Sequence, residues 1–331
     1  MPGGKKIRSP EWPGLRLGLP KVTTVGCMND TVDILCSDNE VEPLPGTAKK
    51  GVVYVLFEWP GRWSHDILDG DTFGPELTAK LKEHMAKWGA SLQLIRHPTR
   101  EGRKISDHHL YIVFSDIGLT EVKHVDGPEA ILDLDLSGPG RNDAMARLAP
   151  LVLVCTHAKR DRCCAIKGRP LVNEIERRYP FKEGRDVVWE TSHMKGHRFA
   201  ATLLLMPWGY SFGRMNLEAT VSMLAEAMRG LFFVPGNRGR GIYSPVGQAA
   251  EIAVAAHLAE AGQRVMYGQL RIAAEEKGEE EAAVTVADTT SGAEYEVRLR
   301  RHEASGIISS CGDAPKDGAY WAAEEVAPRA S

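Results

Sequence analysis

The chain has no apolar run approaching the ~20 residues of a membrane span, no Cys-x-x-Cys motif, and no Lys-Ser/Thr ending to its Gly-rich stretch 236–241. These absences speak against a transmembrane protein, a dithiol oxidoreductase and a P-loop nucleotide site. Charge of one sign is also missing: the formal net charge is −3 over 331 residues, too balanced for non-specific nucleic-acid binding. Six cysteines are too few for a disulfide scaffold of this length. The first twenty residues carry Lys5, Lys6 and Arg8 without a following apolar core, so no secretory signal is expected. The chain reads as a cytoplasmic protein, with neither membrane nor nucleic acid among its partners.

What is present is ordinary globular composition, 43% hydrophobic and 26% charged, enough for sizeable cores. Four residue blocks follow. Residues 1–40 read as an extended N-terminal segment. In 41–140, a short apolar strand at 52–57, a helix at 76–88 and strands at 91–95 and 110–114 alternate, while 116–148 is rich in loop-forming residues. In 141–232 the order restarts: strand 150–154, helix 171–179, strand 185–190, then strands 199–206 and 210–215 across the turn Pro207-Trp208-Gly209, and helix 217–230. This is a thioredoxin-like order. Residues 233–331 hold a basic Arg238-Gly239-Arg240-Gly241 loop, an Ala-rich helix at 245–261 and a hairpin of 283–287 with 295–299. The expected fold is therefore α/β, with tandem thioredoxin-like domains, the first degenerate and the second cluster-binding, and a small C-terminal α+β extension.

The chemistry concentrates in two loops after buried strands. Cys155 and Cys164, with eight residues between them, lie in Val154-Cys155-Thr156-His157-Ala158-Lys159-Arg160-Asp161-Arg162-Cys163-Cys164. His193 and His197, with three between, lie in Ser192-His193-Met194-Lys195-Gly196-His197-Arg198-Phe199. Two thiolates and two imidazoles suit Zn2+ or a 2Fe–2S cluster. A zinc finger is excluded by spacing, because 28 residues separate Cys164 from His193. The zincin helix fails too, since Met194 stands where its Glu belongs. A Rieske centre mixes one Cys and one His in each loop, whereas here the two types segregate. Charge favours a redox centre: two ferric ions, two sulfides and two thiolates sum to zero, and Lys159, Arg160, Arg162, Lys195 and Arg198 stand ready to offset an added electron. His ligands raise the potential above that of all-Cys ferredoxins and permit proton coupling through the second ring nitrogen.

These motifs, with Glu42-Pro43-Leu44-Pro45-Gly46-Thr47-Ala48 and Glu58-Trp59-Pro60-Gly61-Arg62-Trp63, resemble the sucrase/ferredoxin-like family over roughly residues 36–260. The resemblance implies a thioredoxin-like ferredoxin whose 2Fe–2S cluster has Cys155 and Cys164 on one iron and His193 and His197 on the other. Position alone leaves Cys163 as a competitor; the family pattern places the ligand at Cys164. The family has Gly where this chain has Ala158 and Lys195. No paired carboxylates argue for glycoside hydrolysis, and no nucleophile or acid–base pair marks a substrate-converting site.

The expected function is electron transfer between redox donor and acceptor partners that the sequence does not name. The alternatives are a zinc-stabilised binding module on the same four residues and, last, a thiol–disulfide oxidoreductase. Around the ligands, His157, Lys159, Arg160, Arg162, Cys163, Lys195 and Arg198 are outer-sphere candidates. Cys27, Cys36 and Cys311 read as structural or free thiols.

Overall fold

The computed structural model describes residues 35–180, 182 and 186–329. The segment 1–34, with Cys27, lies outside the described residues. Ten strands make one continuous mixed sheet, and four more make a second, antiparallel sheet.

The first half runs β1 (Val53–Glu58), α1 (Pro75–Trp88), β2 (Ser91–Arg96), β3 (His108–Phe114), β4 (Leu119–Val125) and β5 (Met145–Arg147). The second runs β6 (Leu151–Cys155), α2 (Arg162–Arg178), β7 (Val188–Thr191), β8 (Leu203–Met206), β9 (Tyr210–Phe212) and α3 (Leu217–Ala227). β1 pairs β2 in parallel and β3 antiparallel, as β6 pairs β7 and β8. The local orders β2-β1-β3-β4 and β7-β6-β8-β9 are thus the same. The two units join where β2 meets β7 antiparallel, with Ile95 opposite Thr191 and Arg96 opposite Glu190. A buried ion pair between Arg96 and Glu190 crosses this seam.

The strands form for the reason their composition dictates. β6 is apolar throughout because both its faces are covered: Val152 and Val154 pack toward α2 and α3, while Leu151, Leu153 and Cys155 face a cluster shared with Tyr54, Leu56, Ile95, Tyr111 and Trp189. Leu151 to Val154 are completely buried, and each such side chain contributes about 1.5–3 kcal/mol. Cys155 therefore sits at the end of one of the most firmly held strands.

Two expectations need correcting. Strands β4 and β5 occupy stretches that looked like loop, because β4 is only half-buried, β5 is three residues long and largely exposed, and Gly, Asp and Pro lie close by. The Arg238-Gly239-Arg240-Gly241 stretch is not a surface loop: β10 (Asn237–Arg240) is an edge strand paired with β9, and both arginines are fully buried. Most of their guanidinium hydrogens find oxygen partners, Arg240 donating to the carbonyls of Trp208 and Ser115 while its Nη1 has no hydrogen-bond partner among the described residues; such bonds are how charged side chains enter a core.

The C-terminal part begins with α4 (Pro245–Glu260), N-capped by Ser244, which accepts from the Gly247 N–H at 3.1 Å. It is apolar on nearly every side because it is clamped between β10 and the sheet of β11 (Leu270–Lys277), β12 (Glu281–Asp288), β13 (Glu294–Ile307) and β14 (Lys316–Pro328). The hairpin expected around residues 283–299 is β12–β13. Among the described residues no helix is long and apolar enough to cross a membrane.

α4 also buries Glu251, whose Oε1 accepts from the Tyr210 hydroxyl at 2.6 Å and whose Oε2 has no hydrogen-bond partner among the described residues. Burial pushes its pKa from 4.5 up to about 7, against the pull of Tyr210, Arg240 and Arg271. Between those values the unfolded chain gives up a proton that the folded chain keeps, so stability falls as pH rises through this window. The full loss is on the order of 3 kcal/mol. Glu251→Gln keeps the acceptor for Tyr210 and has no proton to lose. Its urea midpoint is expected to decline less than wild type from pH 4.5 to 7; parallel declines would refute the assignment.

Candidate metal centre

Cys155 ends β6 and is 1% exposed. The chain then turns through Thr156 to Arg160, and Asp161 N-caps α2 by accepting from the Cys163 N–H at 2.9 Å. Cys163 and Cys164 thus lie in the first turn of a helix, rather than in a loop ahead of one starting at Leu171. Gly168 and Pro170 look like breakers in the sequence, yet both are inside α2. Gly168 is there for contact: a Cβ on it would overlap the Cys155 carbonyl oxygen. That close approach sets the second turn of α2 against the end of β6.

Successive helical residues point about 100° apart, and the two cysteines part company accordingly. Cys164 turns to Cys155; Cys163 turns away, to Cys36 and Cys311. Donor atoms of Cys155, Cys164 and His193 all lie within 4.8 Å of one another. The Cys164 thiol, helped by His193, draws the Cys155 thiol well below its ordinary pKa despite burial. Cys155 and burial push Cys164 up in return. The two thiols behave as a pair sharing one proton.

The His loop leaves β7 at Thr191. Ser192 anchors it, its N–H donating to the Leu94 carbonyl at 2.8 Å and its Oγ accepting from the Leu94 N–H at 3.0 Å. His157, buried, donates from Nε2 to the Ser64 carbonyl at 2.7 Å and accepts the His193 N–H on Nδ1 at 3.2 Å. Burial keeps His157 below its ordinary pKa, consistent with that neutral tautomer. Lys195 and Gly196 both have positive φ, 71° and 89°. Lys195 thus occupies a backbone conformation that favours glycine, and a Cβ on Gly196 would overlap the Arg238 guanidinium. Arg238 holds this turn from below, donating to the Lys195 carbonyl at 3.3 Å and to Thr47 Oγ1 at 3.0 Å.

The turn brings the two imidazoles together, with ring centroids 5.0 Å apart. His197 falls outside the three-residue group of Cys155, Cys164 and His193. Its Nε2 is 2.8 Å from Ser310 Oγ and 3.7 Å from Asp161 Oδ2. Burial holds His197 below its ordinary pKa, with Asp161 opposing; a neutral imidazole is what a metal requires. Both ring nitrogens of His193 and Nδ1 of His197 are buried without hydrogen-bond partners among the described residues. Orphaned nitrogens beside a thiol pair are the donor set that a thiophilic centre would satisfy.

The outer-sphere candidates divide. His157 orients His193. Lys159 and Lys195 are exposed, and Arg160 reaches Nδ1 of His65 at 3.2 Å. Burial pushes the Cys311 thiol up, and Arg162 beside it opposes that shift. Arg198 is not an uncompensated charge, because Glu42 pairs with its guanidinium. Cys163 faces a different set of residues. Sequence reasoning missed Asp161, Arg238 and Ser310; only Asp161, as an N-cap before a helical stretch, carries a local signal.

Searches of curated proteins and of solved structures returned no match. The profile of the sucrase/ferredoxin-like family matches residues 44–271, more than half of the chain and spanning all four candidate ligands. The chain belongs to the sucrase/ferredoxin-like family.

Proposed function

We propose that this protein carries electrons on a 2Fe–2S cluster held by Cys155, Cys164, His193 and His197, with the β2-β1-β3-β4 and β7-β6-β8-β9 units as thioredoxin-like copies of which only the second retains ligands. The observation that carries this reading is the spread of the donors. Cys155, Cys164 and His193 place donor atoms within 4.8 Å of one another, and His197 stands outside that group with its ring centroid 5.0 Å from that of His193. Donors spread in this way suit two metal ions better than one, so the zinc-module reading ranks second.

When bound, the cluster supplies one-electron chemistry. The residues of the chain supply the rest. His157 fixes the backbone of His193, Ser310 and Asp161 hold Nε2 of His197, and the buried strand β6 keeps Cys155 from water. His193 lines a cleft of about 230 Å3 rimmed by Lys49, His65, Asp66, Arg160 and Lys195. This mainly basic mouth is our candidate for the approach of redox donor and acceptor, anionic at their contact surface. We place the protein in a reducing compartment such as the cytoplasm, where thiolate ligands stay reduced.

The ligand pairs are separable by substitution. His193→Cys is expected to retain a cluster, lower its potential and weaken its pH dependence, because thiolate adds negative charge and removes a titratable ring. Potentiometry with optical detection measures both; an unchanged potential with a cluster present would remove His193 from the ligand set.

A further inference from the structure

We propose that Cys36, Cys163, Cys311 and Asp161 form a second, mononuclear metal site that binds one zinc ion beside the Cys155–Cys164–His193–His197 centre. The three sulfurs form a closed triangle: Cys36 to Cys163 is 3.4 Å, Cys163 to Cys311 is 3.1 Å and Cys311 to Cys36 is 3.6 Å. With Zn–S near 2.3 Å, the edge of a tetrahedral site is about 3.8 Å, so a small outward relaxation of three thiolates seats the ion. Asp161 provides the fourth corner. Its Oδ1 is 3.2 Å from the Cys311 sulfur and 3.9 Å from that of Cys36, bracketing the sulfur–oxygen edge of about 3.5 Å that such a site requires. All four donors lie within 4.8 Å of one another.

The surroundings are those of a built site. Cys36 and Cys163 are fully buried and Asp161 is 6% exposed. The carboxylate is oriented from both sides, Oδ1 accepting from the Cys163 N–H and Oδ2 from the Cys311 N–H, each at 2.9 Å, as outer-sphere bonds orient metal ligands. Negative charge is offset by the N-terminus of α2 and by Arg162 beside Cys311. A disulfide does not account for the arrangement. Its S–S bond of about 2.05 Å joins two sulfurs only and leaves the third thiol beside a buried carboxylate.

The site ties together the 3-10 turn Cys36–Asp38, the start of α2 and the turn between β13 and β14. The last of these carries Ser310, which bonds His197, so the ion would fasten the segment that covers the outer histidine. Cys36 and Cys311 both fall outside residues 44–271, the span matched to the family. Asp161 and Cys163 lie inside that span, so the site joins the matched region to segments on either side of it.

Elemental analysis of the full-length protein, purified without chelators, is expected to give about one zinc per chain at a tetrahedral thiolate site. Cys311→Ser should lose that zinc while iron, acid-labile sulfide and visible absorption persist. Cobalt-grown wild type should show the ligand-field bands of tetrahedral cobalt thiolate, absent from Cys311→Ser. Equal zinc in wild type and Cys311→Ser overturns the proposal. So does a non-reducing peptide map with any two of these cysteines joined, or a wild type that takes up neither zinc nor cobalt here. Should Cys311→Ser fail to fold, the wild-type cobalt spectrum decides. Failure of the iron–sulfur reading is distinguishable: iron would be missing, yet one zinc would still depend on Cys311.

Discussion

Replacing Cys164 by alanine is expected to empty the protein of iron and labile sulfide, whereas Cys163→Ala leaves both in place. The two residues are neighbours, but the helix turns them apart: Cys164 packs with Cys155 and Cys163 with Cys36. Removing an outer-sphere partner of a metal ligand costs about 10–100-fold in affinity; removing a thiolate ligand costs more, because one iron is left three-coordinate. Visible absorption and sulfide analysis of the two variants read the difference. Loss of iron in Cys163→Ala, with Cys164→Ala retaining it, would reverse the assignment of the ligand.

Gly168→Ala should destabilise the protein, although alanine is the better helix former. In an exposed helix interior this change gains about 1 kcal/mol. Here the added methyl meets the Cys155 carbonyl, backbone that has no rotamer by which to move aside. Overpacking of this kind costs about 1–3 kcal/mol, and the collision with a fixed carbonyl places it at the upper end, for a net loss of about 2 kcal/mol. Because α2 carries Cys164, the same shift loosens the thiol pair, so the variant should also release iron faster to a chelator. A higher denaturant midpoint in Gly168→Ala would mean that helix and strand are not in the close contact described.

The residues that made the candidate site legible are those whose signal is local. Two short apolar runs announce β6 and β7, and each ends at a loop holding like donors, Cys with Cys and His with His. The start of α2 was hidden because Gly168 and Pro170 are breakers by local propensity, yet Gly168 lies where the helix packs against β6 and Pro170 on its exposed side. Only three-dimensional contact explains Gly168. The buried strand β10 was hidden for the opposite reason: Arg238 and Arg240 look solvent-facing until carbonyls from the Lys195 and Trp208 turns are found around them. The thiol triangle was illegible, since Cys36 and Cys311 are 275 positions apart and neither carries a motif. Lys195 is an intermediate case. Its left-handed backbone is a conformation for which the family pattern has glycine, so the resemblance pointed at a turn that composition alone does not reveal.

Central to the proposed function are two imidazoles and two thiolates sharing one two-iron core. Pulsed electron paramagnetic resonance of the chemically reduced protein, grown with and without 15N-labelled histidine, tests this most directly. The expected result is a cluster signal with two histidine nitrogen couplings that change on labelling, one lost in His193→Cys and the other in His197→Cys. A reduced cluster without histidine nitrogen coupling, or a protein that yields no paramagnetic centre on reduction, would contradict it.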